Sequence, residues 1–200
     1  IGEVAASEDI LILSDEIYEK ITYDGTEHHS IGSLSDEIRD LTITINGFSK
    51  AYSMTGWRLG YTAAPKEIAD AIDTIQSHST SNPTTFAQFG AIAALSGDNS
   101  EIVDMVAEYD MRRQYMLNRL QSLSNVSTIE PKGAFYFLVN IEQTGITSLN
   151  FAEKLLSRMQ VATVPGVAFG HDHSIRLSYA TSLPIIKEGL DRFEEFCKAH

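Results

Sequence analysis

Two short apolar runs, Ile10-Leu11-Ile12-Leu13 and Leu41-Thr42-Ile43-Thr44-Ile45, constrain what this chain can fold into more than any other feature. Each is too short for a stable helix and offers both faces for burial, which suits central strands of a parallel sheet covered by helices. Both halt at polar residues, the first at Ser14-Asp15 and the second at Asn46-Gly47-Phe48-Ser49-Lys50. Arg58-Leu59-Gly60-Tyr61-Thr62-Ala63-Ala64 is a third strand candidate, stopped by Pro65. Proline at a first-turn position then opens a helix through Ile72, and another helix is expected over residues 84–95.

The pattern changes after the polar stretch Ser96-Gly97-Asp98-Asn99-Ser100. A long helix is expected to about Leu123, with Ile102, Met105, Val106, Tyr109, Met116, Leu117 and Leu120 as one buried stripe. Residues 126–129, 134–141, 161–164 and 175–179 read as strands, with helices over 149–159 and 183–198. Strand-helix alternation followed by this mixture predicts part of an α/β domain over residues 1–97 and an α+β domain over 98–200. Ile1-Gly2-Glu3-Val4-Ala5-Ala6-Ser7 reads as the tail of a helix, the pattern of a fragment.

A hydrophobic fraction of 43% supports real cores. The formal charge of -12 argues against nucleic acid or an anionic membrane as partner, because both call for clustered Lys and Arg. No apolar run reaches the length of a membrane span. A single cysteine, Cys197, cannot form an internal disulfide and fits a reducing cytoplasm.

Ligands of open α/β sheets bind beyond the carboxyl ends of the parallel strands, and Asp15 and Lys50 both follow such strands. Either residue alone would be ordinary there. Their surroundings are specific: Ser14-Asp15-Glu16-Ile17-Tyr18-Glu19, then Asn46-Gly47-Phe48-Ser49-Lys50-Ala51-Tyr52-Ser53-Met54-Thr55-Gly56-Trp57-Arg58-Leu59-Gly60, then Ile175-Arg176-Leu177-Ser178-Tyr179-Ala180. In this order, with Pro131-Lys132-Gly133-Ala134-Phe135-Tyr136 and Val164-Pro165-Gly166 between, they resemble the class I/II aminotransferases of pyridoxal-phosphate fold type I, in the aspartate-aminotransferase-like branch. The resemblance covers essentially the whole chain and matches the carboxy-terminal half of such proteins. It implies a partial large domain with a mainly parallel sheet, followed by an α+β small domain.

The resemblance also implies roles. Lys50 would form the Schiff base with pyridoxal 5'-phosphate and shuttle the substrate proton, tasks suited to an amine whose pKa falls on desolvation. Asp15 would be a buried carboxylate paired with the cofactor's ring nitrogen, and Tyr18 would hydrogen-bond the phenolic oxygen. Arg58 would hold the phosphate through its planar fork, and Arg176 the substrate α-carboxylate. An arginine inside an apolar strand needs a partner, which favours an inward functional position for Arg176. Many relatives carry a phosphate-binding serine where this chain has Gly47, and Ser49 is left unassigned. Ser81 resembles a residue that reaches the cofactor of a second subunit, although serine before Asn82-Pro83 suits a plain turn. His28-His29 and His171-Asp172-His173 read as solvated loops rather than a metal site.

The implied activity is exchange of an amino group between an amino acid and a 2-oxo acid by a cytoplasmic homodimer. A β-lyase, an aminocyclopropane-carboxylate synthase or an aminotransferase-like regulatory module would share the same motifs. The family's phosphate-binding loop, ring-stacking aromatic and asparagine lie upstream of these residues, so the 200-residue chain alone is expected to be inactive.

Overall fold

In a computed structural model of the chain, residues 1–199 are described. The chain divides into two compact units, residues 1–103 and Asp104 onward.

The first unit is built on a three-stranded sheet, β1 (Ile12–Asp15), β2 (Thr42–Gly47) and β3 (Gly60–Ala63), in that order. Strand β1 runs parallel to β2 and β3 antiparallel to it. Helix α1 (Gly2–Ser7) precedes β1, and the short α2 (Asp36–Asp40) precedes β2. The hydroxyl of Ser35 caps α2 by accepting from the Ile38 N–H, with Asp36 and Glu37 in the first turn favoured by the helix dipole. Helices α3 (Lys66–Ser79) and α4 (Thr85–Ser96) follow, with Pro65 at the N-cap of α3.

Two expectations need correction here. The first strand starts two residues later than the apolar run, and β1 is an edge among the described strands rather than a covered centre. Ile10, Leu11 and Leu13 are all more than half exposed as a result. The third strand begins at Gly60, not Arg58, because Arg58 adopts a left-handed backbone (φ 54°) that no strand continues through.

Helix α5 (Ser100–Gln121) leads into the second unit, where β4 (Ser127–Thr128), β5 (Tyr136–Asn140), β6 (Val164–Pro165) and β7 (Ser174–Ser178) form an antiparallel sheet ordered β4-β5-β7-β6. Helices α6 (Ser148–Met159) and α7 (Leu183–Lys198) complete it. Alternation along the strands sends Phe137, Val139, Ile175 and Leu177 to one buried face. Phe151 of α6 meets Phe193 and Phe196 of α7, the second edge-on at 4.9 Å. Cys197 is buried beside them, and burial, aided by the Glu194 charge, pushes its thiol up to about 12. No helix among the described residues is long and apolar enough to cross a membrane.

The buried stripe of α5 contains a charge that apolar spacing does not reveal. Arg113 is fully buried and pairs with Asp110 at 2.7 Å and Glu130 at 3.0 Å, and it donates to the Pro131 carbonyl at 2.9 Å. With its donors used in this way, the desolvation of the guanidinium is offset.

One glycine fixes the path between β6 and β7. A Cβ on Gly166 would stand 2.3 Å from the His171 carbonyl oxygen and 2.4 Å from that of Ser174, both immovable backbone. At Gly90 of α4 the intruder would be the end of the Trp57 side chain, which is 43% exposed and able to swing. Gly166→Ala is therefore expected to lower the thermal midpoint of the second unit by about 10 °C or more, from roughly 3 kcal/mol of overpacking. Gly90→Ala should change the midpoint of the first unit little, because about 0.8–1.0 kcal/mol of helix propensity offsets the displaced ring. Calorimetry of both variants against the parent checks the contrast, and equal shifts of the two units would contradict it.

Candidate active site

The pairing of the first sheet decides where the candidate residues emerge. Asp15 stands opposite Ile45 in the parallel register, and Gly47 opposite Gly60 in the antiparallel one. The carboxyl ends of β1 and β2 and the start of β3 therefore share one end of the sheet. Asp15 closes β1 at that end, Lys50 lies three residues beyond β2, and Arg58 lies two residues before β3. Tyr18 sits in the turn that follows β1 and is half-buried.

The segment carrying Lys50 is held at both ends. Phe48 and Met54 are buried with Ala91 of α4, and Tyr52 and Leu59 pack against them. The Tyr52 and Met54 amides both donate to the Phe48 carbonyl at 3.2 Å, folding the segment back on itself. Ser53 and Arg58 have left-handed backbones (φ 53° and 54°), which costs free energy and persists only where the surroundings enforce it. Gly47 shows why a serine is absent: a Cβ there would meet the Gly60 Cα at 3.0 Å and the Leu59 carbonyl at 3.1 Å. Serine at this place would have to part β2 from β3 by a few tenths of an ångström.

Asp15 departs from expectation in one respect: it is exposed, as follows from the edge position of β1. Its Oδ1 accepts from the Ile17 N–H at 3.2 Å, which fixes the carboxylate over the turn, and Oδ2 has no protein partner among the described residues. Arg58 is also exposed and donates one bond, to the Thr55 carbonyl at 2.8 Å.

The buried acid of this region is the next residue, Glu16. Its Oε1 accepts from the Ser14 hydroxyl at 3.0 Å, the Ser30 hydroxyl at 2.9 Å and the Ile31 N–H at 3.3 Å, and its Oε2 meets His28 Nε2 at 3.0 Å. The Glu16 N–H donates to the Ile45 carbonyl at 2.8 Å, extending the ladder one residue beyond Asp15. Burial alone would raise the Glu16 pKa, but the bonds from His28, Ser30 and Ser14, with the His28 charge, outweigh it and hold the carboxyl below its ordinary value. Glu19 brings a third ligand-type oxygen within 4.8 Å of this pair. Since the Glu16 oxygens are engaged by four donors, the cluster is accounted for as a hydrogen-bond hub. His28, expected as a solvated loop residue, is thus a structural partner.

A cavity of about 650 Å³ opens beside Glu16, lined by Thr42, Thr44, Asn46 and Tyr61 among others. It does not include Asp15, Tyr18, Lys50 or Arg58. Alternation explains the separation: Ser14 pairs with Thr44 on the cavity side, and Asp15 pairs with Ile45 on the other. Glu16 thus anchors one face of the sheet while Asp15 points from the opposite one.

Arg176 lies in the second unit. It pairs in register with Leu138 and Val164, on the sheet face opposite the buried one. What half-buries it is aromatic: its guanidinium carbon lies 4.3 Å from the Tyr136 ring centre and 4.6 Å from that of Phe169. Five of the eight arginines pair with carboxylates, namely Arg39, Arg112, Arg113, Arg119 and Arg192. Arg58, Arg158 and Arg176 have no such pair among the described residues. In so acidic a chain, an arginine without a carboxylate keeps its fork available to an anion.

Ser81 has a left-handed backbone (φ 66°), is exposed, and donates its N–H to the Gln76 carbonyl, as a turn residue does. Of His171-Asp172-His173, the aspartate is engaged: its Oδ1 accepts from the buried Ser148 hydroxyl at 2.6 Å, which lowers its pKa.

Across residues 1–193 the chain matches the family described as aminotransferase class I and II, and it belongs to that family. It is 43% identical to an aspartate aminotransferase of Bacillus subtilis over all of this chain and 52% of that protein. It is 41% identical to aromatic-amino-acid aminotransferase 2 of Thermococcus litoralis, over 99% of this chain and 51% of that protein. The crystal structure of an aromatic aminotransferase from Pyrococcus horikoshii superimposes with a TM-score of 0.94 at 40% identity, over 99% of this chain and 53% of that one. The chain thus spans about half the length of the relatives it matches.

The lowered Glu16 pKa has a definite sign for stability. Above its ordinary value of 4.5 the ionised carboxylate contributes fully, and the contribution is lost as pH falls through the lower folded value. Glu16→Gln should therefore be less stable than the parent at neutral pH, with the difference shrinking below about pH 4.5. Denaturation midpoints of both proteins at several pH values test this. A difference unchanged between neutral and strongly acidic pH would show that the charge of Glu16 is not what stabilises.

Proposed function

We propose that these residues carry the cofactor lysine and the substrate anchor of a pyridoxal 5'-phosphate-dependent aminotransferase, exchanging an amino group between an amino acid and a 2-oxo acid. The observation that carries this reading is the meeting, at one end of one sheet, of an amine (Lys50), a carboxylate with an open oxygen (Asp15) and an arginine without an acidic partner (Arg58). Their chemistry matches, in turn, the aldehyde, the ring nitrogen and the phosphate of the cofactor. When bound, that cofactor supplies a carbonyl for the lysine and a ring that takes up the electrons released at the substrate Cα.

This chain's residues then have distinct tasks. Asp15, fixed by the Ile17 N–H, would offer its second oxygen to the ring nitrogen and keep that nitrogen protonated. Tyr18 would donate its hydroxyl to the ring oxygen. Arg58 is pre-set by its left-handed backbone and its bond to the Thr55 carbonyl, and it neutralises the phosphate. Lys50 would hold the cofactor through its amine and would take up and return the proton at the substrate Cα. Arg176 grips the α-carboxylate common to amino and 2-oxo acids.

The relatives named for transfer from aspartate and aromatic amino acids favour transamination over elimination. A cytoplasmic homodimer completes the reading. It is supported by the single cysteine, which can form no internal disulfide, and by Phe86, Phe89, Ile92 and Leu95 of α4, each more than half exposed and suited to a protein partner.

Borohydride reduction of the full-length protein with bound cofactor, followed by peptide mapping, is expected to place the pyridoxyl group on Lys50. Lys50→Ala should abolish that label and lower amino transfer by roughly 10³-fold or more. A label on another lysine, or turnover undiminished by the substitution, would overturn the assignment.

A further inference from the structure

Arg176 is held in a way that neither its strand position nor its proposed role requires. Tyr136 is two residues from Leu138, its register partner, so it lies on the same sheet face and reaches Arg176 diagonally. Phe169 arrives from the opposite side of the strand, at the end of the 3₁₀ turn Gly166–Phe169 that follows β6. Each ring centre lies within 4.6 Å of the guanidinium carbon. With β5 and β6 on opposite sides of β7, the cation lies between them.

The position of Phe169 is built rather than incidental. The close approach of Gly166 to the backbone at His171 and Ser174 curls the turn back over β7. The Ser148 hydroxyl accepts from the Val167 N–H at 3.1 Å and donates to Asp172, tying the turn to α6. Gly170, with φ 77°, ends the turn immediately after Phe169. Yet Phe169 itself is 47% exposed, so its ring is not spent on the core. A ring held over a cation by a fixed turn and otherwise left in solvent is placed for the cation.

We propose that Phe169, acting with Tyr136, is a positioning residue that sets the plane of the Arg176 guanidinium and presents its in-plane N–H edge to the substrate carboxylate. Aromatic rings meet a guanidinium through its face, which leaves the two-pronged edge for a carboxylate and restrains rotation of the long side chain before binding. An arginine held by acids would be fixed equally well but would have its donors occupied. Aromatic support fixes the plane and leaves the donors open. Phe169 thus tunes affinity for the α-carboxylate through Arg176, without touching the reacting atoms.

The inference rests on the reading of Arg176 as the carboxylate anchor, and the test separates the two. In the full-length protein with cofactor, Phe169→Leu removes the ring and keeps an apolar side chain, Phe169→Trp restores a ring, and Arg176→Ala removes the anchor. Binding of the unreactive acids succinate and 3-phenylpropionate is measured by calorimetry, together with KM and kcat for the amino donor. Phe169→Leu is expected to weaken binding and raise KM by about three- to tenfold, with a smaller change in kcat, and Phe169→Trp to recover most of the loss. Unchanged binding and KM in Phe169→Leu, with both lost in Arg176→Ala, would overturn the inference and leave the anchor standing. Unchanged binding and KM in Arg176→Ala would overturn the anchor itself, and the inference with it. A fall in kcat without a change in KM on Phe169→Leu would also overturn it, since a positioning role in carboxylate binding must appear in affinity.

Discussion

Strand β2 is hydrogen-bonded along both edges, in parallel to β1 and antiparallel to β3, and the placement of the first unit's candidate residues depends on that double pairing. Were β3 parallel, Arg58 would enter the sheet at the far end from Asp15. Were the β1 register shifted by one residue, Asp15 and Glu16 would exchange faces, and the Asp15 carboxylate would fall into the Ser14–Ser30–His28 hub. That hub enforces the register from the side: Glu16 can satisfy its four donors on one face only. The pairing of Gly47 with Gly60 then lets β3 come close enough to bring Arg58 to the same end.

The parts legible in the sequence were those carried by local words. The segment around Lys50 is a single run of consecutive residues, and short apolar runs bounded by polar residues located most strands and helices to within a few positions. What escaped depended on partners distant in the chain. Arg113 occupies a stripe position that spacing reserves for an apolar residue, and its burial becomes intelligible only once Glu130 and Pro131 are beside it. His28 looked like a loop residue because its partner, Glu16, lies twelve positions earlier. Phe169 carried no signal at all: nothing in Val167-Ala168-Phe169 says that its ring covers Arg176. The early start read for β3 has a local cause, since the φ of Arg58 is imposed by the turn and not by its own propensity.

Electrostatics tie the two units to one logic, although each is built separately. An excess of twelve negative charges means that almost any cation in the chain can find an acid, and most arginines do. Arg119, for example, holds both Asp191 and Glu194 across from α5 to α7. Arg58 and Arg176, like Arg158, have no acid partner among the described residues, and these two are restrained by other means. The first unit does it with a backbone carbonyl and a strained turn, the second with two aromatic rings. Both devices restrain a guanidinium without neutralising it.

The burial of Cys197 has a practical side. With its thiol pushed up to about 12 and its side chain buried, the chain's one cysteine is scarcely ionised near neutrality and is closed to reagents. For alkylating chemistry the folded protein is in effect cysteine-free. A thiol introduced on an exposed position such as Ile129 would be the single reactive handle of these 200 residues, ready to carry a spin label or fluorophore with no need to remove the native one.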